Sequence, residues 1–379
     1  MIKGTSILRE QNKRRVLSFV RKLGETSRQD LVKKMNVSKN TISLIVDEFI
    51  NEGILVEVGL KEPGKKGRPK VLIKLNKDGY KSIGISVSKT SIDYSVINYY
   101  GEIIEKKTYP NEGTDPVQTK EHLLRIIHSL LQTTTNIVGI GIGVPGIVDS
   151  DKKFIHLSTH LNWKNVSFSE LDDFPVPIYV QNSVNMGAIG ALDLEGDNEE
   201  GSSFYVRVSE GVGGAYIINN VSLNGDSWTA GEIGHISIDS SGERCNCGQR
   251  GCLEHLINYK AFNEKLESLG YSTSIEDGEI QFDNEVLHSK DVKQLMKTYG
   301  VYLGKALVQV IHLMNPNKII IDSPYNLFEQ FQEGCLTYLE EHALTIPFQH
   351  TEIIFGSKRY NMSRGAALSA IINYEKAIV

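Results

Sequence analysis

The spacing of apolar residues predicts three short helices and a hairpin at the start of the chain. Apolar positions recur at helical spacing up to Leu23, and Gly24 ends the first predicted helix. A second helix is predicted over SRQDLVKKM, capped by Thr26 or Ser27, and a third over KNTISLIVDEFINEG, capped by Ser38. Alternating residues then predict two strands over 54–58 and 71–75.

Helix, turn and helix at this spacing form the arrangement that reads DNA. The third helix opens with short polar and basic residues that can reach base edges or phosphates, namely Ser38, Lys39, Asn40, Thr41 and Ser43. Between the two strands lies the basic, glycine-rich segment GLKEPGKKGRPK, which predicts a wing. Its Arg68 is placed like arginines that enter a narrow A·T minor groove. A generic three-helix bundle with a solvated loop is the alternative interpretation.

The charge distribution supports a polyanion as the partner of this first segment. Residues 1–80 carry 18 Lys and Arg against 9 Asp and Glu, a net charge of +9. The remaining residues carry 23 basic against 37 acidic side chains, a net charge of −14, which together gives the overall −5. A basic head on an acidic body favours DNA as the partner of the head alone.

From residue 82 onward the pattern changes to alternating blocks of strands and helices. The first block has predicted strands over 82–87, 92–99, 102–108 and 137–144, with a helix over 116–131. A short strand over 178–180 leads into a helix that runs through residue 194. The second block has strands over 204–208, 214–219 and 318–321, with a long helix over 292–314 and a last helix from residue 363. The polar stretch 271–283 is predicted to be a surface excursion. The two similar blocks, each with strands followed by helices, predict an α/β body.

Three of the four cysteines fall within eight residues and predict a metal site. Cys245, Cys247 and Cys252 follow His235, and one imidazole with three thiolates makes a closed tetrahedral zinc set. Inert buried thiols beside a surface histidine are the plainer alternative. A disulfide is disfavoured because Cys245 and Cys247 are only two positions apart. The remaining Cys335 is consistent with a reducing compartment.

The residues around this loop resemble a known family. Gly-Glu-Ile-Gly-His at 231–235 and Cys-Asn-Cys-Gly-Gln-Arg-Gly-Cys-Leu-Glu at 245–254 resemble the hallmark of the ROK family, which joins sugar kinases to sugar-responsive repressors. The resemblance implies an actin-like (ribonuclease H-like) duplicated, two-lobed ATPase fold. It also implies that Glu232, His235 and Glu254 contact a sugar. The order of helix–turn–helix, wing and ROK body is that of the family's repressor branch.

This resemblance sets the expected domain boundaries. We expect a winged helix-turn-helix DNA-binding domain over 1–76 and a first ROK lobe over 81–193 plus 360–379. The second lobe is expected over 194–359, with the zinc loop at 235–252.

Four departures from the family's kinase pattern argue against phosphorylation. The phosphate-binding glycine loops are replaced by SVSKT at 86–90 and SEGVG at 209–213, and a late Gly-Gly is replaced by DSP at 322–324. Glu210 would place a negative charge beside phosphate. In QNSVN at 181–185, Ser183 stands where the kinases have the aspartate that deprotonates the sugar, and serine with an ordinary pKa is no general base. We expect no enzymatic activity.

Sugar binding can survive these losses. Asn182, Glu232, His235 and Glu254 remain from the family's sugar site, while His160 stands in place of an asparagine ahead of Trp163. His160 either reads a different hydroxyl or is a plain surface histidine. The layout is similar to that of regulators that respond to xylose, N-acetylglucosamine or glucose, so the sugar stays open.

The sequence therefore predicts a repressor, a homodimer or higher homo-oligomer, that binds an A·T-rich inverted repeat and releases it when a sugar binds. The alternatives are an active sugar kinase with a fused DNA-binding head and a repressor controlled by a protein partner. No apolar run approaches the roughly 20 residues that span a bilayer. The start of the chain has no apolar signal core, so we expect a cytoplasmic protein.

Overall fold

The computed structural model describes residues 4–61, 69–192, 201–219, 221–276, 279–356 and 361–378. Its N-terminal part, called the head, contains α1 (Gly4–Leu23), β1 (Thr26–Ser27), α2 (Arg28–Met35), α3 (Lys39–Asn51), β2 (Leu55–Lys61) and β3 (Lys70–Leu75). The three strands form one sheet in the order β1-β3-β2. The three helices and the hairpin agree with the sequence prediction, whereas β1 was not predicted. Arg68, the expected minor-groove residue, lies outside the described residues.

Local hydrogen bonds set the helix–turn–helix geometry of the head. Ser27 caps α2 by accepting from the Asp30 N–H at 3.2 Å, and Ser38 caps α3 by accepting from the Thr41 N–H at 3.2 Å. Between the two helices Asn36 adopts a left-handed conformation with φ 53°, which turns the chain. The inner faces of the helices are fully buried by Leu31, Ile42, Ile45, Val46 and Phe49. This small core holds the outer face of α3 towards solvent.

The body consists of two lobes and a final helix. Lobe 1 contains β4 (Lys81–Val87), β5 (Ser91–Asn98), β6 (Ile103–Pro110), α4 (Pro116–Thr133), β7 (Ile137–Val144), β8 (Ile147–Asp149), β9 (Phe154–Ser158), β10 (Trp163–Ser167), β11 (Ile178–Asn182) and α5 (Ser183–Ala191). Lobe 2 contains β12 (Ser202–Val208), β13 (Val212–Ile218), β14 (Val221–Ser222), α6 (Leu253–Ile257), α7 (Tyr259–Ser268), β15 (Ser274–Glu276), β16 (Glu279–Gln281), α8 (Asn284–His288), α9 (Lys290–Met314), β17 (Lys318–Asp322), α10 (Glu329–His342), α11 (Thr345–Gln349) and β18 (Glu352–Phe355). The last helix is α12 (Asn361–Ile378).

The two main sheets have the same topology. Lobe 1 has the strand order β11-β7-β4-β5-β6 and lobe 2 has β18-β17-β12-β13-β14. In each sheet the central strand pairs antiparallel with its hairpin partner and parallel with the later strand on its other side. The duplicated layout that the family resemblance implied is therefore present. The small sheet β10-β9-β8, which lies beside the cleft, was not predicted because its strands are only 3 to 5 residues long.

One segment of lobe 2 is more ordered than its polarity suggested. Residues 271–283, expected to form a plain surface excursion, include the hairpin of β15 and β16. Ile280 on this hairpin is 4% exposed, and Tyr271 and Phe282 pack against the core of lobe 2. Three apolar side chains thus anchor a segment whose average composition is polar.

The helix α5 packs closely against α12 and also contacts β12 and β13 of lobe 2. A side chain at Gly365 would place its Cβ 1.7 Å from the Met186 carbonyl oxygen, and one at Gly190 would lie 2.1 Å from the Asn361 carbonyl oxygen. Only glycine permits backbones to approach this closely. Because α12 also packs on β4 and β7, it lies against the lobe 1 sheet, and α5 connects it to lobe 2.

The head docks directly on α12. The Arg21 guanidinium of α1 forms a buried ion pair with Glu375 and lies 5.7 Å from the centre of the Tyr99 ring. Lys13 donates to the Ile378 carbonyl oxygen at 3.1 Å. The head and the body therefore share buried contacts as well as a chain connection. No helix in the described ranges is both long and apolar enough to cross a membrane.

Candidate functional site

The predicted metal ligands converge in lobe 2. The ligand atoms of His235, Cys245, Cys247 and Cys252 all lie within 4.8 Å of one another. His235 Nδ1 is 3.7 Å from Cys245 Sγ, and Cys247 Sγ is 3.5 Å from Cys252 Sγ. All four cysteines are free thiols, so the disulfide alternative is not found.

The donor set and its spacing fit a bound metal ion. Four ligands at the distances of a tetrahedral Cys₃His site are separated by about 3.7 Å, close to the observed spacings. Burial and the neighbouring thiols raise the pKa of Cys252 to about 12, so its thiolate needs a cation nearby. The loop can close because Gly251 has φ 57° and any Cβ there would lie 1.8 Å from the Asp239 carbonyl oxygen. This cluster can hold a metal ion.

Three more of the predicted residues meet beside this loop. Glu254 lies in the first turn of α6, directly after the ligand Cys252, and accepts a hydrogen bond from the Val212 N–H at 2.9 Å. His160, from lobe 1, and Glu254, from lobe 2, both face Gly211, where an added Cβ would lie 2.6 Å from the His160 ring and 2.9 Å from the Glu254 carboxylate. His160 therefore lies where a lobe 1 segment meets lobe 2. Gly211 had not been singled out from the sequence for this role.

Glu232 completes this group, which we call the cleft cluster: His160, Glu232, His235 and Glu254. His235 Nε2 lies 4.0 Å from a Glu232 carboxylate oxygen, on the side of the imidazole away from Cys245. Burial, together with Glu254, raises the pKa of Glu232, although half of its side chain remains exposed. Two carboxylates and two imidazoles thus face one space, where they can accept and donate hydrogen bonds to hydroxyl groups.

Asn182 is placed differently from the cleft cluster. Its side-chain oxygen caps α5 by accepting from the Val184 N–H at 2.7 Å and the Asn185 N–H at 3.4 Å. Its amide nitrogen donates to the Gly146 carbonyl oxygen at 2.7 Å. Asn182 therefore fixes the turn at Gly146 through hydrogen bonds that already use much of its side chain.

The positions that differ from the kinase pattern have formed contacts of their own. Ser88 accepts from the Ser91 N–H at 2.9 Å, which closes the first loop into a turn. Asp322 is buried at the end of β17, where it pairs with Arg207 at 2.9 Å and accepts from the Tyr205 hydroxyl. Ser183 is 5% exposed at the start of α5. The Ser88 and Asp322 side chains thus lie at positions where the resemblance to kinases led us to expect glycines.

The outer face of α3 presents polar and apolar groups to solvent. Ser38, Lys39 and Asn40 are exposed, and Thr41 and Ser43 are partly exposed. The structure adds Leu44, which is 67% exposed one turn after Asn40. Leu44 could have been identified from the sequence, because it is an apolar residue outside the stripe that an amphipathic helix buries. Such a side chain can contact a thymine methyl group.

The chain is similar to known proteins in both sequence and structure. The model described as ROK family matches residues 82–370. A xylose repressor of Bacillus spizizenii is 30% identical over 324 residues, covering 83% of each chain, and one of Caldicellulosiruptor bescii is 30% identical over 372 residues, covering 92% of each chain. The crystal structure of a ROK family transcriptional regulator, a homologue of the E. coli MLC protein, aligns with a TM-score of 0.79 and 23% identity over 98% of each chain. The body has the actin-like fold of this group, and the chain belongs to the ROK family.

Proposed function

We propose that this protein is a sugar-responsive, DNA-binding transcriptional repressor of carbohydrate metabolism genes. The observation that carries this proposal is the exposed outer face of α3, on a head that docks onto a two-lobed body with a polar cleft cluster. The relatives named xylose repressors and the ROK regulator structure support it. In this proposal the division into a head over 1–76 and lobes over 81–193 with 360–379 and over 194–359 follows the sequence prediction.

The proposal assigns operator reading to α3 and the wing. Ser38, Lys39, Asn40, Thr41 and Ser43 would contact bases and phosphates, and Arg68 would enter the minor groove of an A·T-rich inverted repeat. A homodimer presents two heads, so its operator half-sites are set by the spacing of those heads. Zinc in the metal site would cross-link the loop that carries His235 and leads to Glu254, so that the sugar-facing groups are fixed.

Asn40→Ala is expected to weaken operator binding by about 1–3 kcal/mol, because Asn40 is the exposed amide best suited to pair with adenine. The duplex is first selected from a random pool, and binding is measured by gel shift at two salt concentrations. Glu264→Gln, an exposed change in lobe 2, serves as the control. If Asn40→Ala binds the selected duplex as tightly as the wild type, α3 does not form the DNA interface.

The cleft cluster is proposed to bind the effector sugar together with Asn182. Closure of the lobes on a sugar would shift α12, which packs against α5 and carries the docked head. A ligand shifts such an equilibrium only by its differential affinity for the two states, which must reach several kcal/mol. Release of the selected duplex by D-xylose, D-glucose or N-acetylglucosamine is the deciding measurement. If calorimetry detects no binding of any of these sugars, control by a protein partner becomes the better hypothesis.

The rival function, an active sugar kinase with a fused head, is disfavoured by the contacts at Ser88 and Asp322. We expect no sugar-dependent ATP consumption, and we expect Ser183→Asp alone to leave the rate at background because the phosphate loops remain changed. A coupled assay with each of the three sugars measures this. Turnover above background that is lost in a Glu232→Gln variant would establish the kinase.

A further inference from the structure

The segment 223–231, which we call the strap, connects β14 to Glu232. Both of its ends are held by lobe 2. The Leu223 N–H donates to the Tyr216 carbonyl oxygen at 2.9 Å, and the Gly231 carbonyl oxygen accepts from the Gly214 N–H at 2.8 Å. Gly231 lies so close to β13 that an added Cβ would be 2.2 Å from the Gly214 carbonyl oxygen. Glu232 therefore has a fixed position relative to lobe 2.

The middle of the strap crosses to lobe 1 at two points. The Asn224 side-chain oxygen accepts from Gln181 Nε2 at 3.3 Å and from Asn185 Nδ2 at 3.1 Å. The Trp228 ring stacks on the His156 ring of β9, with centroids 5.1 Å apart and planes 23° apart. His156 precedes His160 by one short turn of chain, so the stack lies on the same lobe 1 segment as a member of the cleft cluster.

The backbone at Trp228 is unusual for so large a residue. Its φ is 57°, in the left-handed region that bulky side chains rarely adopt. His156 Nε2 is also buried without a hydrogen-bond partner in the parts of the chain that the structure describes. Two unfavourable local features thus coincide in one interlobe contact. Such features persist where surrounding contacts require them, and they concentrate at functional sites.

We propose that Trp228 is a positioning residue for effector recognition. By stacking on His156 it sets the distance between the carboxylates of lobe 2, Glu232 and Glu254, and the His160 imidazole of lobe 1. A single sugar can then be contacted from both lobes. This role rests on the proposed function of the cleft, but the contact itself does not depend on it.

Sugar affinity is the first readout, measured by calorimetry with D-xylose, D-glucose and N-acetylglucosamine as probes. Trp228→Ala and Trp228→Gly are expected to weaken binding by about 3- to 10-fold, the range of an aromatic pair contribution. The glycine variant relieves the strained φ, so equal losses assign the effect to the ring. Trp228→Phe should restore binding to within about twofold. Ser227→Ala removes an exposed hydroxyl that hydrogen-bonds to Thr229 within the strap, and it should leave sugar binding unchanged.

A double-mutant cycle tests whether Trp228 acts through His156. His156→Ala together with Trp228→Ala should lose no more affinity than either change alone, because both remove the same contact. Additive losses would overturn the positioning role. So would a Trp228→Ala variant that binds the same sugar as tightly as the wild type, an outcome that leaves the proposed function intact.

Fluorescence gives a readout without sugar. The chain has two tryptophans, and Trp163 is 1% exposed, so acrylamide quenching reports mainly on Trp228. His156→Ala should raise that quenching about twofold or more by uncovering one ring face. Unchanged quenching would show that the Trp228 and His156 rings do not stack in solution. A wild type with the stack that binds none of the three sugars would instead overturn the proposed function, and with it the recognition role of Trp228.

Discussion

Cys247→Ser is expected to remove the metal from its site and to abolish the response to sugar in the same step. Cys247 is the exposed thiol of the ligand set, so serine there disturbs little packing. A serine hydroxyl, unlike a thiol, supplies no soft anionic ligand at neutral pH. Metal affinity should fall by more than about 100-fold, since changes outside the direct ligands already lower it about 10- to 100-fold.

The sugar response should follow the metal because His235 belongs to both of the proposed sites. Its Nδ1 faces the thiols, while Nε2 faces Glu232. A metal on Nδ1 fixes the tautomer and orientation of the ring, so a hydrogen bond from Nε2 to a hydroxyl loses little entropy. Without the metal, the loop between His235 and Glu254 is no longer cross-linked, and two members of the cleft cluster lose their fixed positions.

The measurements are zinc content by mass spectrometry and sugar-dependent release of the selected duplex. The variant should remain on DNA when sugar is added, because the head lies outside the metal loop. Cys335→Ala, which removes a thiol buried in α10, should keep its zinc and its response. Purified wild type without zinc, or a Cys247→Ser variant with a full sugar response, would contradict the prediction.

Short-range sequence signals predicted the parts of the molecule that local chemistry determines. Ser27 and Ser38 lie at helix starts because a hydroxyl can accept a free N–H there, and both caps are present. The metal cluster was predictable because its ligands are close in sequence and chemically distinctive. The repeated order of strands and helices also fitted the two similar lobes that the family resemblance implied, since sequential strands usually pair in the same sheet.

Contacts between distant segments could not be predicted in this way. Arg21 and Glu375 are 354 positions apart, and nothing in either neighbourhood indicates the other. The stack of Trp228 on His156 likewise depends on how a lobe 2 strap meets a lobe 1 strand. Asn182 illustrates a different limit. The resemblance indicated that Asn182 contacts a sugar. The structure shows that its side chain also caps α5 and holds the turn at Gly146.

Glu375→Leu is expected to lower the free energy of unfolding by about 3–5 kcal/mol, because it leaves the Arg21 charge buried without its partner. The two side chains are 6% and 17% exposed, so water reaches the guanidinium poorly. Burial would by itself lower the pKa of Arg21, but Glu375 outweighs it and the pKa is raised. The charge therefore persists at all ordinary pH values. Denaturant unfolding, followed by circular dichroism, measures the effect.

An apolar replacement of both partners separates the ion pair from the packing around it. Arg21→Met combined with Glu375→Leu should recover most of the loss, because no charge then remains buried. Glu264 forms an exposed ion pair with Lys260, in which the Lys260 side chain is 82% exposed and the Glu264 side chain 64%. Glu264→Leu breaks this pair and should change the free energy of unfolding by less than about 1 kcal/mol. A Glu375→Leu variant as stable as this control would mean that the head is not docked on α12. Docking matters for function because α12 also packs against α5, the helix that contacts β12 and β13 of lobe 2.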